Sequence, residues 1–184
     1  MATNKVNLGI GRATTGMFYT APAGTALPTD SSSALTSWVE SGAITEDGIV
    51  WAGFKDSEPL RNWGRQIERL IASDEGGTVT APLMYTDQKT LETIFGAGNV
   101  SVAAASSTHG KVVSVTVEAG VSAEPMAFLF VMKDGDDLIF LGTTRGIVRE
   151  VGDVTMSPTE AIVWEATIEA DSWTLIKDDG QVTS

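Results

Sequence analysis

Two short apolar runs joined by a charged turn constrain the fold more than any other feature of the sequence. The runs occupy residues 126–132 and 138–141, and the turn between them, residues 133–137, is rich in aspartate. Short apolar runs bounded by turn residues are typical of buried strands, and a short connection favours an antiparallel hairpin. We therefore predict two central strands joined as a hairpin. The longer run is far below the roughly 20 residues that a membrane-spanning helix needs, so no membrane span is predicted.

Alternation of apolar and polar residues predicts further strands. Val79, Ala81 and Leu83 fall on one face of an extended chain, while Thr80 falls on the other. A period of two predicts a strand that is buried on one face only. From Trp38 onward, Gly and Asp separate such runs at intervals typical of an antiparallel β protein. The alternating segments are residues 15–20, 79–85, 113–117 and 162–170.

One short helix is predicted over residues 87–95. Asp87 can cap the first turn, Leu91 and Ile94 share a face, and Gly96 can end the helix. Residues 21–37, rich in Ala, Pro, Ser, Thr and Gly, predict an extended surface loop. The expected fold is mainly β with one short helix, as an antiparallel β-sandwich or a partly closed barrel.

The composition predicts a single folded domain. The chain has 184 residues, of which 42% are hydrophobic and 20% charged, and this length suits one core and not two domains with a linker. We expect one domain over residues 1–184, with a flexible amino-terminal arm at 1–13 and a flexible tail at 178–184. The amino terminus lacks the apolar run of a secretory signal, so synthesis in a cytoplasm is expected.

The charge and the absence of cysteine limit the possible ligands. The formal net charge of −12 opposes attraction to phosphate backbones and makes ordinary nucleic-acid recognition improbable. Without cysteine there is no disulfide framework and no thiolate metal cluster. The aspartates of the 133–137 turn do not form a calcium loop, because Leu138 stands where an oxygen ligand is required. No cofactor and no metal are predicted.

Catalytic residues are not predicted either. His109 is the single histidine, so a histidine-activated nucleophile would depend on it, and no Gly-x-Ser-x-Gly motif occurs. Acidic pairs such as Glu46 with Asp47 and Asp178 with Asp179 resemble the carboxylate pairs of glycoside hydrolases, which must face each other across a cleft. Adjacent acids in turns are ordinarily solvated. We expect a protein that is not an enzyme.

The most informative segment is residues 51–64, which we predict to be a long inter-strand loop. It contains three large aromatic side chains, Trp51, Phe54 and Trp63. Loops lie on the surface, where large apolar groups are unfavourable unless something covers them. Either the segment folds back over its own core, or it docks on another subunit, since Trp and Arg are favoured interface anchors. The candidate self-assembly residues are Trp51, Phe54, Leu60, Arg61 and Trp63.

Over most of its length the sequence resembles the major tail protein, or tail tube subunit, of long-tailed, non-contractile bacteriophages, especially those of actinobacterial hosts. The resemblance rests on the order of several diffuse motifs. These are the segment at 16–30 from Gly-Met-Phe-Tyr to Pro-Thr-Asp, Ser-Gly-Ala-Ile-Thr-Glu-Asp-Gly-Ile at 41–49, Asn-Trp-Gly at 62–64, the helix at 87–95, Val-Gly-Asp-Val at 151–154, and closing strands around Trp164 and Trp173.

The resemblance implies a structural role in the virion. Proteins of this kind form hexameric rings that stack into a tube around a tape measure protein, contact tail tip and terminator proteins, and conduct DNA without binding it specifically. It also implies that residues 51–63 reach from one ring to the next and that the amino-terminal arm adds contacts. Two other readings stay open: a carbohydrate-binding β-sandwich that uses Trp51 and Trp63 as a stacking platform, and another virion component such as a decoration or tail terminator protein.

Overall fold

The computed structural model describes residues 16–53, 56–61, 63, 67–74, 76–117, 123–134, 137–157, 159 and 161–179. The predicted arm at 1–13 lies outside these residues, as do residues 180–184 of the predicted tail. Residue 178 of that tail belongs to the last strand.

The described residues form twelve strands and one helix. The strands are β1 (Met17–Pro22), β2 (Val39–Ala43), β3 (Val50–Ala52), β4 (Asp56–Arg61), β5 (Ile67–Asp74), β6 (Thr78–Leu83), β7 (Val100–Ala103), β8 (Val112–Val115), β9 (Met126–Asp134), β10 (Asp137–Val151), β11 (Trp164–Ala170) and β12 (Thr174–Asp178). The helix α1 (Gln88–Phe95) is followed by a short 3₁₀ turn at Ala97–Asn99.

Eight strands build one antiparallel sheet in the order β2–β1–β9–β10–β11–β6–β3, with β12 paired to β10. The long strand β10 organises this sheet. Along one edge it pairs with β9, and along the other it pairs first with β12 and then with β11. The predicted hairpin is confirmed as β9–β10. Its second strand continues past residue 141 to Val151, because Gly142 and Gly146 mark close packing within the strand and not a turn: a Cβ on Gly142 would lie 2.7 Å from Leu27 Cδ2.

The sheet curls until its distant parts meet. Ile44, just after β2, forms an isolated bridge with Leu83 at the end of β6. The amide of Met84 donates to the carbonyl of Ala43 at 2.9 Å, and the amide of Thr45 donates to the carbonyl of Pro82 at 3.1 Å. The fold is therefore mainly β, antiparallel and sandwich-like without forming a closed barrel, as the sequence predicted.

The main core lies inside this curl and is closed by α1. Phe18 stacks on Phe128 and Phe130, with ring centroids 5.9 and 5.0 Å apart, and the helix adds Leu91 and Ile94 to the same cluster. The predicted helix is confirmed, since its cap, Asp87, accepts a hydrogen bond from the amide of Thr90.

A second, smaller core lies on the opposite face of β1, β9 and β10. Its cover is the segment 23–38, which contributes Leu27, Leu35 and Trp38. Ser31 ties this segment to β12, because its amide donates to the Asp178 carboxylate at 2.8 Å. The predicted loop at 21–37 is exposed at most of its residues and contains no strand or helix after Pro22, where β1 ends, and Leu27 and Leu35 are the side chains by which it packs on the sheet. Strand β9 is apolar without alternation because both of its faces are covered.

Candidate self-assembly surface

Residues 51–64 do not form the predicted loop throughout, because they contain the whole of β4. This strand pairs with β5 in an antiparallel two-stranded sheet. The segment carries turn-forming and charged residues that mask a strand in the sequence, and the pairing is supplied by backbone groups of β5, which lies further along the chain. The predicted loop is thus one leg of a hairpin, here called the β4–β5 hairpin.

The β4–β5 hairpin stands apart from the main sheet. Neither strand pairs with any other described strand. Pro59 lies within β4, where its missing N–H weakens pairing with additional strands. An isolated two-stranded hairpin is only marginally stable in water. Its order therefore depends on its attachment to the body and on whatever packs against it.

Trp63 lies at the tip of the hairpin and is fully exposed, with a relative accessibility of 104%. Among the described residues it is the most exposed large apolar side chain. Covering a side chain of this kind stabilises an association by about 1.5–3 kcal/mol. Tryptophan is also enriched among residues that dominate interface energies. The tip is thus suited to insertion into a pocket of a partner.

Trp51 lies at the other end of the hairpin and has a different role. It belongs to β3, is half-buried, and packs against the main core. The six residues of β4 span about 20 Å between the two tryptophans. Trp51 and Trp63 therefore do not form one stacking platform, and the geometry does not favour the carbohydrate-binding reading. For Trp51 the first of the two sequence-based alternatives holds, because its side chain covers the core.

The remaining candidate residues divide between the described and undescribed parts of the chain. Leu60 and Arg61 are the last residues of β4, immediately before the tip, and their backbones pair with β5. Phe54 lies outside the described residues. The structure thus brings Leu60, Arg61 and Trp63 to the distal end of the hairpin and leaves Trp51 at its root.

Hydrogen bonds and burial account for the pKa shifts of two titratable groups among the described residues. A hydrogen bond from Lys89, followed by one from Gln88, lowers the pKa of Glu92. Burial, and to a lesser extent the charge of Glu40, raises the pKa of Tyr19. The His109 ring contacts the carbonyl of the adjacent Gly110, with Nδ1 2.7 Å from that oxygen.

Neither a metal site nor a membrane-spanning helix is found in the described part of the chain. There, no three residues drawn from His, Cys, Asp and Glu are grouped closely enough to hold an ion. No helix among the described residues has both the length and the apolarity needed to cross a bilayer.

A model of the phage tail tube protein family matches residues 1–174 of the chain. The chain belongs to the phage tail tube protein family. This match confirms the resemblance inferred from the motifs, and it includes both cores and the β4–β5 hairpin. No curated protein sequence matches the chain.

Membership makes this tail tube protein a structural component of the phage tail, from a family that is not enzymatic. The sequence named Trp63 as a candidate, and it did not predict β5, which pairs with β4. The available signal was Asn62-Trp63-Gly64, whose Asn and Gly are common in hairpin turns. The residues of β4 and β5 on either side of this motif do not alternate in polarity, so the sequence did not indicate that they form paired strands.

Proposed function

We propose that this tail tube protein self-assembles into stacked hexameric rings that form the tail tube of a long-tailed, non-contractile bacteriophage, through which DNA passes during ejection. The observation that supports it most is the fully exposed Trp63 at the tip of a hairpin that has no partner strand in its own described chain. A neighbouring subunit that bound this projection would bury the Trp63 side chain.

The distal end of the β4–β5 hairpin is the proposed contact between rings. Leu60, Arg61 and Trp63 supply an aliphatic, a cationic and an aromatic group at one end of a ribbon. These types combine apolar burial with hydrogen bonding to a partner. Because each subunit carries net charge −12, an arginine at the contact also reduces repulsion between copies. Trp51, at the root of the hairpin, packs against the core of its own subunit and is not part of the tip, and Phe54 stays a candidate contact residue.

The negative charge suits a conduit for DNA. Duplex DNA carries one charge per about 1.7 Å of its axis, so a tube that attracted phosphates would retain its cargo. A subunit with net charge −12 gives a tube that repels the DNA and lets it slide without specific binding. The partners in this proposal are further copies of the chain, a tape measure protein, and tail tip and terminator proteins; synthesis takes place in the bacterial host cytoplasm.

Electron microscopy of the purified protein with Trp63→Ala tests the contact. We expect wild-type protein at high concentration, with salt to screen repulsion, to form open tubes, and Trp63→Ala to give single rings or dispersed subunits. Met156→Ala is the matched control, since Met156 is also an exposed apolar side chain, with 75% relative accessibility, but lies on a different segment.

The outcome separates the proposal from other virion roles. Closed single rings or trimers from wild-type protein at every concentration and salt would point to a terminator or decoration protein. Tubes of normal length from Trp63→Ala would show that the hairpin tip is not the contact between rings.

A further inference from the structure

Two glycines lie opposite each other where the β4–β5 hairpin leaves the body of the protein. Gly53 follows β3 with φ of +69°, and Gly77 precedes β6 with φ of +81°. A Cβ built on Gly53 would lie 3.7 Å from the Cα of Gly77. Positive φ is unfavourable for residues with a side chain. The two legs of the hairpin thus have positive φ at adjacent glycines, where they leave the body of the protein.

The last pair of β3 with β6 and the first pair of β4 with β5 lie on either side of these glycines. Ala52 is the last residue of β3 that pairs with β6, so one further step along both strands pairs Gly53 with Gly77. The first pair of the β4–β5 ladder is Asp56 with Asp74. The register then shifts between Asp56 and Ser57, because Ser57 pairs with Ala72, so the β4–β5 ladder has a β-bulge close to its root.

One leg of this ribbon is clamped by the turn between β11 and β12. A Cβ on Gly76 would lie 1.8 Å from the carbonyl oxygen of Ala170, so no side chain fits there. The carbonyl of Gly77 accepts hydrogen bonds from the Ala170 amide at 3.4 Å and from the Trp173 indole nitrogen at 3.1 Å. Trp173 is itself packed against Phe130 in the core, with ring centroids 6.2 Å apart.

We infer that Gly53, Gly76 and Gly77, held by Trp173, form a joint that fixes the direction in which the hairpin projects. The two legs turn at Gly53 and Gly77, because each of these residues has a positive φ and the two lie side by side. The Trp173 indole and the Ala170 backbone select one direction by holding the Gly77 leg against the core. Trp173 is thus a positioning residue for a tip it does not touch. Its importance for assembly rests on the function proposed above, because an arm held in one direction loses less freedom on docking.

The joint is testable in dispersed subunits, independently of what the hairpin binds. Because the chain has no cysteine, Trp63→Cys with Thr144→Cys gives two unique sites for spin labels, one at the hairpin tip and one on exposed β10. Pulsed electron–electron double resonance then measures the distribution of distances between the spin label at the hairpin tip and the one on β10. Loss of Trp63 also keeps the labelled protein dispersed if the proposed contact is correct.

Trp173→Phe is the primary variant, since it keeps an aromatic ring in the core and removes the indole donor. We expect it to broaden the distance distribution without changing the thermal unfolding temperature of the body by more than a few degrees. Gly76→Ala is expected to shift the mean distance, because the added methyl group must displace the hairpin leg from Ala170. Gly77→Asn, which tolerates positive φ, is expected to retain more of the original distribution than Gly77→Val.

Gly48→Val is the matched control. Gly48 has a similar φ of +75° and nothing within 4 Å of a built Cβ, so the substitution introduces the same backbone strain away from the joint. It should leave the distribution unchanged. A wild-type distribution in both Trp173→Phe and Gly76→Ala would overturn the inference, as would an equal change in Gly48→Val and Gly77→Val. Normal tubes from Trp63→Ala would instead refute the proposed contact and leave the distance measurement valid.

Discussion

The molecule contains two antiparallel hairpins that differ in what stabilises them. In the β9–β10 hairpin, Phe128 and Phe130 point into the main core, while Leu129 and Val131 lie in the second core under segment 23–38. The β4–β5 hairpin pairs only with itself and ends in the exposed Trp63. The same motif is therefore a stable centre where both of its faces are covered, and a projecting arm where neither of its edges pairs with another described strand.

The comparison separates folding from association. Substitutions in the β9–β10 hairpin should act on the free energy of unfolding of each subunit. Substitutions at the tip of the β4–β5 hairpin should act on contacts between subunits and leave folding almost unchanged. The predictions below are ordered by the expected size of their effect.

Phe130→Ala should destabilise the subunit by about 3–5 kcal/mol, because a fully buried ring is replaced by a cavity. Chemical denaturation of dispersed protein measures the change. Trp63→Ala, measured beside it, should change the free energy of unfolding by no more than about 0.5 kcal/mol. Comparable losses from the two substitutions would place Trp63 in the core of its own chain and remove the distinction between the hairpins.

Gly142→Ala should destabilise the subunit by about 1–3 kcal/mol through overpacking. The added Cβ would lie 2.7 Å from Leu27 Cδ2 and 3.0 Å from the carbonyl oxygen of Phe128. The control is Gly98→Ala, where nothing lies within 4 Å of the added atom. Equal unfolding midpoints for the two variants would mean that segment 23–38 does not pack tightly on β10.

The two hairpins also show which parts of the structure could be predicted from the sequence. The β9–β10 hairpin and α1 were predictable because burial imposes a run or a periodicity on their own residues. The cover at 23–38 was not, since only Leu27, Leu35 and Trp38 pack within a segment of turn-forming composition. Strand β5 and the Gly53–Gly77 pairing depend on which strand lies opposite, and that information is distributed over distant parts of the chain. Trp63 was identified as a candidate, but its position at a tip required the structure.

Tyr19→Phe should have the smallest effect at neutral pH, a change within about 1 kcal/mol. The Tyr19 hydroxyl is buried, and no hydrogen-bond partner for it is found within the described part of the chain. Burial raises its pKa above the usual 10.0, so the folded state holds the proton more tightly than the unfolded state does. The contribution of the protonated Tyr19 phenol to the free energy of unfolding is complete below pH 10 and is lost as pH rises through the folded-state pKa.

Denaturation at a series of pH values tests the Tyr19 prediction by comparing wild type with Tyr19→Phe. Above pH 10 the wild type should lose stability relative to the variant. Parallel curves across this range would show that the phenol is accessible to solvent, and that the second core does not seal this face of β1.

Hydrogen exchange measured on the two hairpins, before and after tube formation, tests the central claim most directly. Amides of β9–β10 should be protected in dispersed subunits and unchanged in tubes. Amides of β4–β5 should exchange rapidly in dispersed subunits and become strongly protected in tubes, because a neighbouring subunit then covers the arm. Rapid exchange of β4–β5 in fully formed tubes would contradict the account, since the projecting hairpin would then be uncovered in the assembly it is proposed to build.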